Sequence, residues 1–526
     1  MRSDGRPRHL LLGAGAALAL TGAGMASAAL PRVPIAPSRP GSVATDTAVA
    51  QAMERARVGD CKGVLVLLDP VVAGGVGKGS ASRFSAQMLR MPCLAGVGRE
   101  HEIPPVLAEL KAQAPDNPLV QGFQVFLDAD SGRYAEAADG LANIADARSR
   151  ALNLMPGDLW RSLAQKLTVA GDVQRRDRVT LALALADWEP SDSPELSESL
   201  AADGVGALLD KQAVDDARQM LTRVRRPNYL WEMAIQRRYA ALWPDVEARM
   251  GPQGGTAIDR FARRTLGAYA DAPGDPQTTL DAARAFLFLG RFDDVSATAG
   301  STRVVAGMSE EQVGTVLIEA NALAAAGRRT AALARLEPFV KADFATTPEA
   351  AGALIQLAEL LDQDGRFEEE LAVARTGENA RAGYFSSYGL AWLRRNEVCA
   401  LASLHRTAEE KIAGDALKAV IRDNEAAVIE GLLCAGRDDE AAAIAIATLA
   451  THDGADRLAD QFQPDGALLP HSASRLRALW ARLLARPDVR AAFERSARIL
   501  PKTYWPSSTP RALPVPAAGT DPASTT

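Results

Sequence analysis

Aromatic side chains are scarce, at 5% of 526 residues. β-Sandwiches and barrels draw on aromatic and β-branched residues, so this scarcity, set against abundant Ala and Leu, argues for helix. Basic residues are not in excess either, with 59 Lys and Arg facing 65 Asp and Glu. A duplex-binding protein neutralises phosphates with clustered cations, so no nucleic-acid partner is expected. Histidine is rare. Beyond His9 there are only His101, His405, His452 and His471, far apart and without H-E-x-x-H or paired-ligand spacing, and no metal site is expected. There is no G-x-S-x-G elbow and no Walker-type loop. Gly75-Val76-Gly77-Lys78-Gly79-Ser80 is Gly-rich but lacks that register and reads as a plain loop. No cofactor and no catalytic residue is assigned.

What is present starts with an export signal over residues 1–28. Arg2, Arg6 and Arg8 precede a short apolar run from Leu10 to Leu20, and Ala26-Ser27-Ala28 is a small-residue site, which predicts cleavage after Ala28. The run is shorter than the roughly 20 residues a bilayer requires, so a periplasmic or secreted protein without stable membrane insertion is expected. Removing Arg2, Arg6, Arg8 and Asp4 leaves a mildly acidic mature chain of 56 basic and 64 acidic residues.

Export makes the four cysteines worth counting as pairs. Cys61, Cys93, Cys399 and Cys434 allow three connectivities. The nearly equal spacings favour Cys61 with Cys93 and Cys399 with Cys434. None forms a C-x-x-C, which argues against a redox motif.

Prolines every few residues define an extended leader over 29–43, and a similar Pro-rich tail at 506–526 is expected to be disordered. Between them, over 44–505, apolar residues recur at three- and four-residue spacing, broken by Gly-Arg, Gly-Asp or Pro. Gly132-Arg133-Tyr134, Gly290-Arg291-Phe292, Gly327-Arg328-Arg329, Gly365-Arg366-Phe367 and Gly436-Arg437-Asp438 each separate two helical stretches. From Gly365 to Gly436 the interval is two units, and Asn396 is assigned to the missing turn. Helix starts keep similar time at Asp275-Pro276, at Ser309 with Gln312 as a capping box, and at Thr347-Pro348-Glu349. One hairpin per roughly 35 to 40 residues predicts an all-α fold, an α/α superhelical solenoid of antiparallel helix hairpins. Register is lost over an irregular section, 172–266.

These residues resemble the tetratricopeptide repeats. Gly132-Arg133-Tyr134-Ala135-Glu136-Ala137 with Leu141 is similar to the family's turn Gly, following aromatic, small Ala and later large apolar residue. Gly327, Ala332 and Leu336 repeat the pattern without the aromatic, as do Gly436 and Ala441. Gly290 and Gly365 keep the aromatic but have Val295 and Glu370 at the small position, a mark of divergent repeats. In such an array Cys61 would open a descending helix and Cys93 would sit near the top of the next ascending one. Cys399, just past the assigned turn, and Cys434 would repeat that arrangement.

One segment departs from the background. Between Arg218 and Arg264 ten arginines face four acidic residues, with Tyr229, Trp231, Tyr239 and Trp243 interleaved. Arg225, Arg226, Tyr229, Trp231, Arg237, Arg238 and Tyr239 are candidates for binding an acidic partner. The competing reading places the arginines on outer faces and the tryptophans in the core. The resemblance implies an exported non-enzymatic scaffold that binds a protein or peptide partner in a bacterial cell envelope. The alternative is a helical accessory or enzyme acting on cell-wall or surface polysaccharide, similar to the superhelix of lytic transglycosylases but without a recognisable catalytic domain. A confined pocket with two close carboxylates of perturbed pKa would favour the enzyme.

Overall fold

The structure is a computed structural model that describes residues 42–74, 79–193, 195–467 and 475–514. The expected signal, most of the leader and residues 515–526 lie outside it. The described residues form 26 α-helices joined by turns and short 3-10 segments, and the one β-bridge among them pairs Gln236 with Ala497. The fold is all-α, as an Ala- and Leu-rich, aromatic-poor composition favours. No helix among the described residues is long and apolar enough to cross a membrane.

The chain divides into two compact units, residues 1–211 and 212–526. In the first, the nine helices from Ser42–Arg57 to Leu196–Asp210 each pack on the one that follows. The core of its N-terminal part gathers Val64, Leu68, Met91, Leu94, Leu107 and Leu110. Residues 75–78 of the Gly-rich loop lie outside the described residues, but its last member, Ser80, caps the helix Ala81–Gly96 by accepting from the Arg83 N–H.

The second unit contains five consecutive helix pairs. Their first helices are Pro276–Phe288, Glu310–Ala325, Ala351–Gln363, Ser387–Ser403 and Glu425–Cys434. Their second helices are Phe292–Ala299, Arg329–Leu336, Phe367–Arg381, Thr407–Lys418 and Asp438–Leu449. Each first helix packs on its own partner and also on the first helix of the next pair. The expected starts are present: Asp275 caps by accepting from Thr278 N–H, and Ser309 and Gln312 form a capping box. Thr347 makes no side-chain cap; its hydroxyl instead accepts from Gly307 N–H at 2.8 Å, and a 3-10 turn Pro348–Ala350 leads into the helix.

The turns within the pairs share one geometry. Gly327 and Gly365 have φ of 76° and 73°, a left-handed conformation in which a Cβ would crowd the backbone. In three of the four glycine turns the arginine after the glycine pairs with a carboxylate three residues on, Arg291 with Asp294, Arg366 with Glu369 and Arg437 with Glu440, whereas Arg328 pairs with Asp293 at 2.9 Å. Those carboxylates stand in first helical turns, where the helix dipole favours them.

The missing turn is not at Asn396. That residue is fully buried in the middle of Ser387–Ser403, and the chain turns at His405, whose φ is 57°. Arg406 then pairs with Glu409 as its counterparts do. A search for glycine-like residues misses a histidine in this role; the Arg-x-x-Glu spacing identifies it.

Cys61 is joined to Cys93 and Cys399 to Cys434, with Cα atoms 4.8 and 5.0 Å apart. The first bond links consecutive helices of the first unit, Cys61–Ala73 and Ala81–Gly96, as expected. The second differs. Cys399 lies within a first helix rather than after a turn, so this bond ties two successive first helices together. Two disulfides accord with an oxidising compartment.

The irregular section is irregular in helix length. Val214–Leu221, Pro227–Ile235 and Trp243–Met250 are only 8, 9 and 8 residues long, with a 3-10 turn Arg237–Leu242 among them. The end of the chain accounts for part of this, because it packs there. Helices Arg475–Leu484 and Pro487–Ser496 lie against Glu425–Cys434 and Asp438–Leu449. The chain then reaches back to the start of the unit, where Arg498 donates from its backbone N–H to Ile235 O at 2.7 Å and pairs with Glu247 at 2.6 Å. The expectation of a disordered tail is corrected for residues 506–514. Arg511 pairs with Asp259 at 2.9 Å and its backbone N–H donates to Leu289 O, so charge pairing and a backbone bond hold the Pro-rich segment down.

Candidate functional site

Of the residues expected to bind a partner, two are core. Trp231 and Tyr239 are buried, and the Trp231 ring lies over Gly254, where a Cβ would collide with it. That contradicts their assignment to a binding surface: large aromatics fill the space where short helices meet. Arg237 donates to the carbonyl of Glu494 and lies 5.8 Å from the Trp243 ring, while Arg226 is 3.9 Å from Asp281. Both are tied to the unit's own packing. Arg238 and Tyr229 are partly exposed, and Arg238 acts electrostatically on Asp456. Arg225 is exposed and lines a separate recess with other arginines. The seven do not converge on one site.

What does converge is a row of polar side chains from successive first helices of the second unit. Gln356 donates to Asn321 Oδ1 at 2.8 Å and to Leu317 O at 3.0 Å. Arg395 pairs with Glu359 on one side and with Glu430 at 3.2 Å on the other. The side-chain partners are 35 or 36 residues apart in sequence, so the row reads the repeat itself. With Gln363, Trp392 and Arg477, these groups line a cavity of about 240 Å³. The helix Arg475–Leu484 supplies Arg477, held by the carbonyls of Asp460 and Gln461 at 3.0 Å. Cys399 and Cys434 follow Arg395 and Glu430 by four residues each, so the disulfide sits one turn along from that ion pair and holds its register.

Arg395 is buried, stacked 4.8 Å from the centre of the Trp392 ring, and its Nη1 meets no acceptor. Glu430 is also buried. Its carboxyl lies above the usual range because of burial, against which the Arg395 charge and a 2.7 Å bond from Trp480 Nε1 act. Behind the row, Glu370 is fully buried and its carboxyl is pushed up to about 9, first by burial and then by the neighbouring Asp362 charge. Neither Glu370 oxygen meets a donor. A protonated Glu370 resolves this by donating to Asp362. Farther along the same helix Glu378 is pushed up to about 7 by burial and by the charge of Glu397.

The signal for this row was present in the sequence. Glu430 is the lone charge in Ala426–Leu433, and Arg395 belongs to the polar run Arg394-Arg395-Asn396-Glu397 between the apolar stretches Leu390–Leu393 and Val398–Ala402. A buried polar residue in such a run marks a polar network. What these features define is an all-helical protein with a polar recess built from consecutive helix pairs. No protein-family model and no curated protein sequence matches the chain.

Proposed function

We propose that this protein is an exported, non-enzymatic, tetratricopeptide-like α/α solenoid that binds a protein or peptide partner in a bacterial cell envelope. The observation that carries the reading is the polar row itself. Asn321, Gln356, Arg395 and Glu430 come from equivalent faces of consecutive first helices and open on one recess. Amides and paired charges at repeat spacing offer donors and acceptors in the rhythm an extended chain presents. Paired disulfides and a signal-like N-terminus support export.

Photocrosslinking tests this. A photoreactive residue replaces Trp392 in the recess, or the exposed Ile412 on a second helix as control, in the mature chain mixed with envelope extract. Protein adducts at 392 and none at 412 are expected; no protein adduct at 392 overturns the reading.

The second reading, action on envelope polysaccharide, is favoured by one observation: Glu430, raised by burial, shares the recess with Glu359. Both carboxylates are engaged by Arg395, which suits a structural triad better than acid–base work. Release of soluble fragments from purified cell wall, abolished in Glu430→Gln, would establish it instead.

A further inference from the structure

The Pro-rich tail occupies a built seat in the second unit. Helix Gly255–Asp271 places Asp259 one turn from its start, and Leu289 and Gly290 follow the helix Pro276–Phe288. Arg511 donates to Asp259 from Nε at 3.2 Å and from Nη2 at 2.9 Å, and its backbone N–H donates to Leu289 O at 2.8 Å. Two glycines make the room. A Cβ at Gly255 would stand 2.6 Å from the Arg511 guanidinium, and one at Gly290 would touch the Pro510 backbone at 3.6 Å. The seat therefore selects a guanidinium fork and a backbone N–H from one residue, and a proline ahead of it fixes the backbone that presents both.

The hold is light. The Arg511 and Asp259 side chains are 23% and 34% exposed, and an ion pair so open to solvent contributes little. Leu513, just beyond, is 48% exposed. A segment held by so few contacts opens readily and leaves its seat to a competitor. The sequence contains one. Pro-Arg occurs three times in the 526 residues: at Pro7-Arg8 in the expected signal, at Pro31-Arg32 in the leader, and at Pro510-Arg511. The leader also continues as the tail does, with an apolar residue after the arginine, Val33 or Ala512, and then a further proline, Pro34 or Pro514. The ten residues from Val33 to Ser42 reach about 35 Å at most when extended, enough to bridge one copy to a seat on another. We propose that the seat of Pro510-Arg511 also takes Pro31-Arg32 from the leader of a second copy, which displaces the tail. A leader on one copy and a seat on the next make a heterologous contact, so linked copies add in one direction. The seat shares no residue with the polar row and does not depend on a partner binding there.

Crosslinking between two isotopic forms of the mature chain tests the proposal. One form carries a photoreactive residue in place of Val33, and the other, uniformly labelled with heavy isotope, carries none. The expected product joins position 33 of the first form to the stretch 255–290 of the second, recognised by its mass. Asp259→Asn in the labelled form and Arg32→Ala in the other should each remove most of it, while Arg39→Ala, at an arginine that follows Ser38 rather than proline, leaves it unchanged. Arg511→Ala in the labelled form should raise the yield about five-fold, the scale of one exposed ion pair, because it frees the seat from the tail. That sign separates competition from a merely structural role, which would lower the yield. No adduct between copies overturns the proposal, as does an adduct confined to one chain. So does a yield unaffected by Asp259→Asn, or one not raised by Arg511→Ala in a variant that folds as wild type by circular dichroism.

Discussion

Arg475 grips Asp362 with two nitrogens, Nε at 2.9 Å and Nη2 at 2.5 Å, across 113 residues of sequence. Asp362 is buried, with Glu370 beside it, so the clasp ties the C-terminal helices to the middle of the unit at a place that tolerates no loose charge. Arg475→Ala should therefore destabilise the protein by about 3 kcal/mol, the scale for a buried carboxylate that loses its cation. Urea denaturation measures this. Removing both charges, in Arg475→Met with Asp362→Leu, should restore part of the loss.

Glu370 occupies the position where the preceding pair carries Ala332 and the pair two further on carries Ala441, both fully buried. Its folded value of about 9 lies above the ordinary 4.5, so the folded state keeps a proton that the unfolded state releases between those values. This group's contribution is intact below about 4.5 and declines as pH rises toward 9. Melting temperature recorded from pH 5 to 9 should fall less steeply in Glu370→Gln than in wild type, with the variant the more stable at pH 8. Parallel curves would contradict the assignment of a protonated Glu370.

His405 holds a left-handed turn that Gly365 and Gly436 hold without a side chain. His405→Gly should raise stability by about 0.5 kcal/mol, relief of backbone strain outweighing the extra freedom gained by the unfolded chain. Gly365→Ala should lower it by about 1 kcal/mol. Thermal melts of the two variants should therefore move in opposite directions.

The disulfides close loops of 32 and 35 residues by sequence separation. Loss of either bond should cost about 3 kcal/mol. Peptide mapping without reductant should recover Cys61 with Cys93 and Cys399 with Cys434. Cys434→Ser should in addition weaken whatever crosslinks through Trp392, because the bond sets the register of Arg395 and Glu430, whereas Cys93→Ser should not.

Much of this protein was legible from local rules. Helix caps at Asp275 and Ser309, the turns at Gly327 and Gly365, and the cysteine partners follow from residue types and spacings within one or two helix pairs. The hydrogen bonds and periodicities involved span few residues. The core positions of Trp231 and Tyr239, the clasp of Arg475 on Asp362 and the docking of Arg511 on Asp259 came only with the tertiary structure. Each depends on where distant segments meet, across as many as 252 residues for Arg511 and Asp259, and a side chain's type does not specify which remote surface the chain's path will bring against it.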